Sequence, residues 1–322
     1  MKKPGFLLLV LLALGAAVAG GALFFPWYGS GSIVEDTPFI VPEGSSLTSV
    51  ARQLESEGVI DDADAFLLRA KLLGGSEPVK AGEFLLPAGA SPAQILETLQ
   101  SDDVVRRFVT IPEGMPSIMV HERLMAKELL TGDIPIPEEG SLLPDTYSFE
   151  RGQDRAEVVA RMQAAMDEAL AELWPQRSPD AVVKTPEEAV ILASIVEKET
   201  AQADERRMVA GVLSNRLRIG MMLGADATTI YPITKGKPLG RRIRVSELRS
   251  TNPYNTRAVA GLPPGPITNP GRESIAAVLN PAQTDALYYV ADGTGGHVFS
   301  RTLEEHNENV RQWRAFRERE GI

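Results

Sequence analysis

The chain has 322 residues, enough for one large domain or two moderate ones. Hydrophobic residues make up 43% and charged residues 24%, which argues against wholesale disorder, and a net charge of -10 argues against nucleic acid, because a phosphate-backbone binder needs clustered Lys and Arg. There is no cysteine, which excludes disulfides, thiolate metal sites, cysteine nucleophiles and a lipoprotein anchor.

Lys2 and Lys3 precede an uncharged stretch from Pro4 to Val34. Its densest part, Phe6 to Phe25, has the length needed to cross ~30 Å of hydrocarbon as a helix. Trp27 and Tyr28 follow at the far end, where amphipathic rings favour the membrane interface. The lysines orient the N-terminus to the cytoplasm, giving a single-pass protein of the cytoplasmic (inner) membrane with everything after Tyr28 outside it. The competing reading is a cleaved signal peptide, because Ala17-Val-Ala19 resembles a cleavage site. The apolar run continues past it to Phe25, which favours an uncleaved anchor.

Residues 29–36 read as a Gly/Ser linker. Next comes a segment over 37–110 with its own punctuation. Phe39-Ile-Val41 and Phe84-Leu-Leu86 are β-like, and so is 102–110. Helices are predicted over Ser46 to Glu55, Asp62 to Leu73 and Pro92 to Leu99, the last capped by Ser91. In the first, Leu47, Val50, Ala51 and Leu54 sit at i, i+3, i+4, i+7. The opening strand, Pro42-Glu-Gly44 turn and helix resemble a LysM-type sugar-binding module; a small α+β spacer domain fits the same signals. Pro112-Glu-Gly114 repeats the turn with similar flanks.

From Met115 the chain is mostly helical. Ser117 to Leu130 and Asp154 to Leu173 are candidates, the second with Val158, Met162, Met166 and Leu170 spaced in fours. Thr185-Pro-Glu-Glu188 is a helix start with a capping box. The helix it opens is apolar all round through Val196, hence buried. Glu197-Lys-Glu199 ends it. Two readings fit: a solvated helix end, or Glu197 held at a cleft floor, where an apolar surround would favour its protonated form. Its face carries the small residues Ala193, Ser194, Thr200 and Ala201, leaving room for a ligand, while Glu199 points about 200° away. A helix follows over Glu205 to Ile219. Gly261 to Gly271 is a rigid Pro/Gly loop. Then come a helix over Arg272 to Leu279, strands at 286–291 and 297–300, and a final helix from Thr302 to about Arg319. No P-loop, GxGxxG or GxSxG occurs, and His297 and His306 lack metal-ligand spacing, so neither cofactor nor metal is expected.

Several motifs in fixed order carry a resemblance. They are Glu139-Gly140 with Leu143-Pro-Asp-Thr-Tyr147, Ile195-Val-Glu-Lys-Glu-Thr200, Asn215-Arg-Leu217, Tyr254-Asn-Thr256, Gly261-Leu-Pro-Pro-Gly-Pro-Ile267 with Asn269-Pro-Gly271, and Val290 to His297 with Glu305-His-Asn307. Together they resemble the YceG-like endolytic murein transglycosylases over nearly the whole chain. Where that family usually has Gln-Thr-Asp-Pro-Thr, this chain reads Gly224-Ala-Asp-Ala-Thr228, which puts substrate contacts in question more than chemistry.

The resemblance implies an α+β protein with three parts: a transmembrane helix (1–28), a LysM-like domain (37–110) and a mixed catalytic domain (111–322). It implies lytic cleavage between MurNAc and GlcNAc that leaves 1,6-anhydroMurNAc ends and terminates glycan elongation. Glu197 is the implied catalytic residue. Asp226, Tyr254, Asn255, Tyr147 and Glu139 are implied substrate contacts, with loop structure as the competing role, Asn255 as a turn former above all. Implied partners are peptidoglycan strands, the inner membrane and peptidoglycan synthases of the elongation or division machinery. A hydrolase typically needs two carboxylates, and no second one is evident beside Glu197, although Asp226 could supply it. The competing class is a non-catalytic, membrane-anchored glycan-binding scaffold for cell-wall synthases.

Overall fold

A computed structural model describes residues 4–321; Lys2 and Lys3 lie outside them. The fold is mixed α+β, and the chain divides into two compact units between Arg107 and Phe108.

The first unit opens with α1 (Pro4–Tyr28), in which Leu8–Tyr28 has a mean hydropathy of 2.5 and is long and apolar enough to cross a membrane. Then follow β1 (Thr37–Val41), α2 (Leu47–Ser56), α3 (Ala63–Leu73), β2 (Gly82–Leu86) and α4 (Pro92–Gln100). β1 and β2 pair antiparallel with Phe39 opposite Phe84, both fully buried. Ser91 caps α4 as the sequence predicts, and Ser46 and Asp62, expected as the first residues of their helices, cap α2 and α3 instead, each side chain accepting a hydrogen bond from a first-turn backbone N–H. Val50, Ala51 and Leu54 of α2 meet Phe66 and Ala70 of α3 and Ile95, Leu96 and Leu99 of α4 in one core.

Two expectations for this unit change. Trp27 is not an interfacial ring: it is 1% exposed and packs on Phe66 at 5.5 Å between centroids, while Tyr28 stays half exposed. The 29–36 segment is not a free linker. The Gly31 N–H donates to the Gly89 carbonyl at 3.2 Å, and the Gly89 N–H donates to the Ile33 carbonyl at 2.7 Å. A Cβ on Gly31 would come 2.1 Å from the Ala90 carbonyl oxygen, so only glycine permits this approach.

The second unit contains β3 (Arg107–Thr110), which begins at the division, paired with β4 (Thr146–Phe149). The strand expected from 102 is shorter because Val105 makes a single bond to Glu83 rather than a ladder. α5 (Ser117–Met125) stops five residues before the expected Leu130. Arg155, at the start of α6 (Arg155–Leu173), is the reason: its guanidinium donates to the carbonyls of Leu124, Lys127 and Gly132, closing the helix end.

α7 (Pro186–Glu199), α8 (Arg206–Arg218) and α9 (Asp226–Thr234) follow. The sequence gives no signal for α9, which holds Pro232 inside it and several β-branched residues; two buried threonines, Thr228 and Thr229, bond Thr256 and Asn255 and anchor it. A short α10 (Val245–Leu248) precedes α11 (Arg272–Leu279), the antiparallel hairpin β5 (Tyr288–Ala291) and β6 (His297–Ser300), and α12 (Leu303–Glu320). α7, α8 and α11 share the main core of this unit.

Candidate active site

α7 is placed by burial. Thr185 caps it, accepting the Glu188 N–H at 3.2 Å. Glu188 does not complete the expected capping box; its carboxylate accepts from the Lys184 N–H at 2.6 Å instead. Ala189, Val190 and Leu192 to Val196 are buried, so the last turn emerges with its acids still close to protein.

At Ala193 and Ser194 the small-residue face does not leave a vacancy for ligand. The Ile267 N–H donates to Ser194 Oγ at 3.1 Å, and Ser194 Oγ donates to the Ile191 carbonyl at 2.7 Å. Ala193 and Ser194 are fully buried, and the Pro/Gly loop occupies the space they leave.

That loop then reaches the Pro112-Glu-Gly114 turn through Asn269. Fully buried, Asn269 donates from Nδ2 to the Met115 carbonyl (2.9 Å) and Ser117 Oγ (3.0 Å), and accepts the Leu142 N–H at 3.1 Å. Its own carbonyl accepts the Gly114 N–H at 3.0 Å. Two glycines allow the final approach. A Cβ on Gly114, where φ is +71°, would sit 3.3 Å from Glu197 Cγ, and one on Gly271 would sit 2.0 Å from Glu113 Oε1.

The result is a charged constellation around Glu197, whose side chain is only 6% exposed. Its Oε2 accepts the Gly271 N–H at 2.9 Å, and its Oε1 lies 4.0 Å from Arg206 Nη2. The same Arg206 nitrogen donates to Glu113 Oε2 at 2.8 Å. Two carboxylates thus lie within about 4 Å of one guanidinium nitrogen, a distance at which charges couple strongly. Burial, and next the charge of Glu197, hold the Glu113 carboxyl above its ordinary range. Lys198 Nζ reaches the Gly114 carbonyl at 3.4 Å. Neither the apolar surround nor the solitary carboxylate expected of this acid is what the fold builds. Sequence reading singled out the Pro112-Glu-Gly114 turn but gave Glu113 no role, and it passed over Arg206.

Glu199 faces away into a different network. Its carboxylate accepts the Tyr289 hydroxyl at 2.7 Å, and burial raises it above the ordinary carboxylate range. So the helix end is not simply solvated. His297 pairs through Nδ1 with Glu205 at 2.7 Å and packs edge-on to Tyr289.

The other candidates separate. Glu139 accepts the Ser117 N–H at 2.8 Å and bonds the Tyr231 hydroxyl, and burial raises its carboxyl. The Tyr231 ring lies 4.9 Å from that of Tyr254, and Gly265 sits against the Tyr254 hydroxyl. Glu139 and Tyr254 therefore form one cluster behind Asn269, sharing Ser117 with it. Asp226 begins α9 and pairs with Arg257 at 2.5 Å, its side chain 57% exposed. Asn255 is buried with its amide committed: Nδ2 donates to the carbonyls of Glu247, Leu248 and Ser250, and Oδ1 accepts from Thr229. The Tyr147 hydroxyl donates back to the Leu143 carbonyl at 2.7 Å, and burial pushes it up to about 12.

A model of the YceG-like family matches residues 39–312. The chain belongs to the YceG-like family. It is 29% identical over 300 residues to the endolytic murein transglycosylase of Bacillus subtilis (strain 168), covering 83% of this chain and 82% of that protein. It is also 29% identical over 320 residues to the endolytic murein transglycosylase of Streptococcus pneumoniae serotype 2, covering 84% of this chain and 57% of the longer relative. Among solved structures, a putative YceG-like protein of Listeria monocytogenes superposes with a TM-score of 0.54 at 28% identity, over 85% of this chain and 98% of that one.

Proposed function

We propose that this YceG-like chain is an endolytic murein transglycosylase that cuts between MurNAc and GlcNAc, with Glu197 as its catalytic acid and base. The observation that carries the reading is the setting of Glu197: a nearly buried carboxyl, fixed by one backbone N–H and open to one shared guanidinium. The names of the relatives support the same activity.

The atoms balance on one residue. Glu197 gives its proton to the glycosidic oxygen as the C1–O bond breaks. The C6 hydroxyl of the same MurNAc attacks C1, and Glu197 takes up the hydroxyl proton. The new C1–O6 bond makes the 1,6-anhydro end, no water is consumed, and Glu197 is again protonated. The intramolecular attack gains the advantage of proximity. Glu139 and Tyr254 are our candidates for holding sugar or peptide groups, and the exposed Asp226 is a third. Asn255 and Tyr147 act through the backbone they brace.

Glu113 favours a second reading. A second carboxylate at this distance could activate water, giving hydrolysis and a reducing end. Purified murein treated with the full-length enzyme and analysed by mass spectrometry separates the outcomes. Anhydro ends support the lytic reaction, reducing ends support hydrolysis through Glu113, and no fragments at all would favour a glycan-binding scaffold.

In the same reading α1 anchors the chain in the cytoplasmic membrane with its N-terminus inside. The 37–110 segment is a LysM-like domain held close to that membrane, and 111–322 is the catalytic domain. Peptidoglycan synthases are the partners such a position would serve.

A further inference from the structure

α1 does not end in a tether. Its last turn enters the core of the first unit through Trp27, and residues 29–33 are strapped to the 89–90 turn behind it. A unit joined this way cannot tumble away from whatever α1 is embedded in. Its face beside α1 must therefore be compatible with that surroundings.

α4 and α3 share that face, and α3 carries its outward-turned apolar and basic residues. Phe66 meets Trp27, which sets the side of α3 that faces α1. At about 100° per residue, Arg69 sits ~60° around the helix from Phe66, Leu72 ~120° and Leu68 ~160°, all turning the same way. Leu68 and Leu72 are 54% and 57% exposed, one turn apart, and form an apolar stripe facing outward. Arg69 lies between this stripe and α1. With Pro26 and Ser30 it lines a cavity of about 210 Å³ at the last turn of α1. Its Nε is buried without a hydrogen-bond partner among the described residues. Asp61 and Asp62 on the same cavity are already engaged, the first by the Ser32 hydroxyl and the second as the α3 cap. Lys71 is exposed, and after Asp64, which pairs with Arg52, α3 carries no acid.

An apolar stripe with adjoining unpaired bases, fixed to the end of an apolar span, has the chemistry of an interfacial helix. We propose that the outer face of α3 docks on the bilayer that α1 spans, with Leu68 and Leu72 entering the headgroup–acyl boundary and Arg69 and Lys71 meeting lipid phosphates. This rests on the reading of α1 as a membrane anchor. The docking fixes the orientation of the first unit on the membrane surface, rather than leaving it on a swinging stalk.

The absence of cysteine makes the test direct. Leu14→Cys and Leu72→Cys are each introduced into the full chain, labelled with an environment-sensitive fluorophore, and reconstituted in nanodiscs of phosphatidylethanolamine and phosphatidylglycerol. Quenchers are placed in the lipid headgroups, in the acyl chains or in the water. The proposal expects acyl-chain quenching at position 14 and headgroup-level quenching at position 72. Replacing Arg69 and Lys71 by Gln should weaken the docking equilibrium at position 72 by about fivefold per base removed, and leave position 14 unchanged. Quenching at 14 with only aqueous quenching at 72 overturns the docking and leaves the anchor standing. Protection of 72 from every quencher means that another protein covers the stripe, which also overturns it. No lipid quenching at 14 overturns the anchor and the docking together.

Discussion

Replacing Gly271 by Ala tests whether the position of Glu113 matters to the chemistry. Gly271 has φ -72° and ψ 164°, a conformation that Ala adopts without strain. The perturbation is therefore steric alone. The new Cβ would fall 2.0 Å from Glu113 Oε1, 2.4 Å from Cδ and 2.7 Å from Cγ. Glu113 is 41% exposed and can swing outward, giving up its 2.8 Å pair with Arg206. Such a partly exposed pair contributes at most about 1 kcal/mol, and losing a glycine returns about 0.4–1 kcal/mol by restricting the unfolded chain. Stability should hence change by under about 1 kcal/mol, or a Tm shift of no more than ~4 °C for a unit of this size. Activity should fall much further. Arg206, freed from Glu113, can close on Glu197, and a displacement of about 1 Å at a reacting group can cost ~100-fold. The assay is kcat/KM on purified glycan strands beside a thermal melt. A double-mutant cycle isolates the route: with Glu113 already cut to Ala, Gly271→Ala should cost little more. Wild-type kcat/KM in the single variant, or full additivity in the double, refutes the coupling.

Three further outcomes follow from the same contacts. Asn269→Ala leaves the Leu142 N–H without its buried partner and removes one of two bonds from each of the Met115 carbonyl and Ser117 Oγ, so it should destabilise the second unit by about 1–3 kcal/mol in denaturant titration and lower activity with it. Trp27→Ala opens a cavity beside Phe66 and should cost the first unit about 3–5 kcal/mol, read as earlier proteolysis of that unit in the full chain. Glu199 binds its proton more tightly folded than unfolded, so its contribution is fully present below the ordinary carboxyl value of 4.5 and is lost as pH rises through the raised folded value. Glu199→Gln keeps an acceptor for Tyr289 and should melt progressively higher than wild type as pH rises from 4.5; an unchanged difference across pH 4 to 8 contradicts this.

Local signals in the sequence mostly carry over. Ser91 and Thr185 cap the helices they precede, the other helix starts fall within a residue of the expected ones, and α11 runs over the expected residues, because a cap and a periodic face are decided within a few positions. The failures are tertiary. α5 is cut short by a guanidinium from α6, and α9 forms despite Pro232 because buried threonines hold it. The site shows the same division. Glu197 could be separated from Glu199 by helical spacing, and the two do face different networks. The small face at Ala193 and Ser194 was legible as small, but what fills it comes from the 261–271 loop. Glu113 reaches Glu197 through Asn269, whose bond to Met115 spans 154 residues, a distance over which no local pattern informs.

The central claim is that Glu197 carries the proton transfers of a lytic cut. Glu197→Gln preserves the size and the acceptor for the Gly271 N–H while removing the transferable proton. Mass spectrometry of murein fragments, scored for 1,6-anhydro ends, measures the consequence directly. The account predicts abundant anhydro ends from wild type and none above background from the variant, with both proteins melting alike. Anhydro ends from Glu197→Gln at the wild-type rate would contradict it and move the acid to another residue.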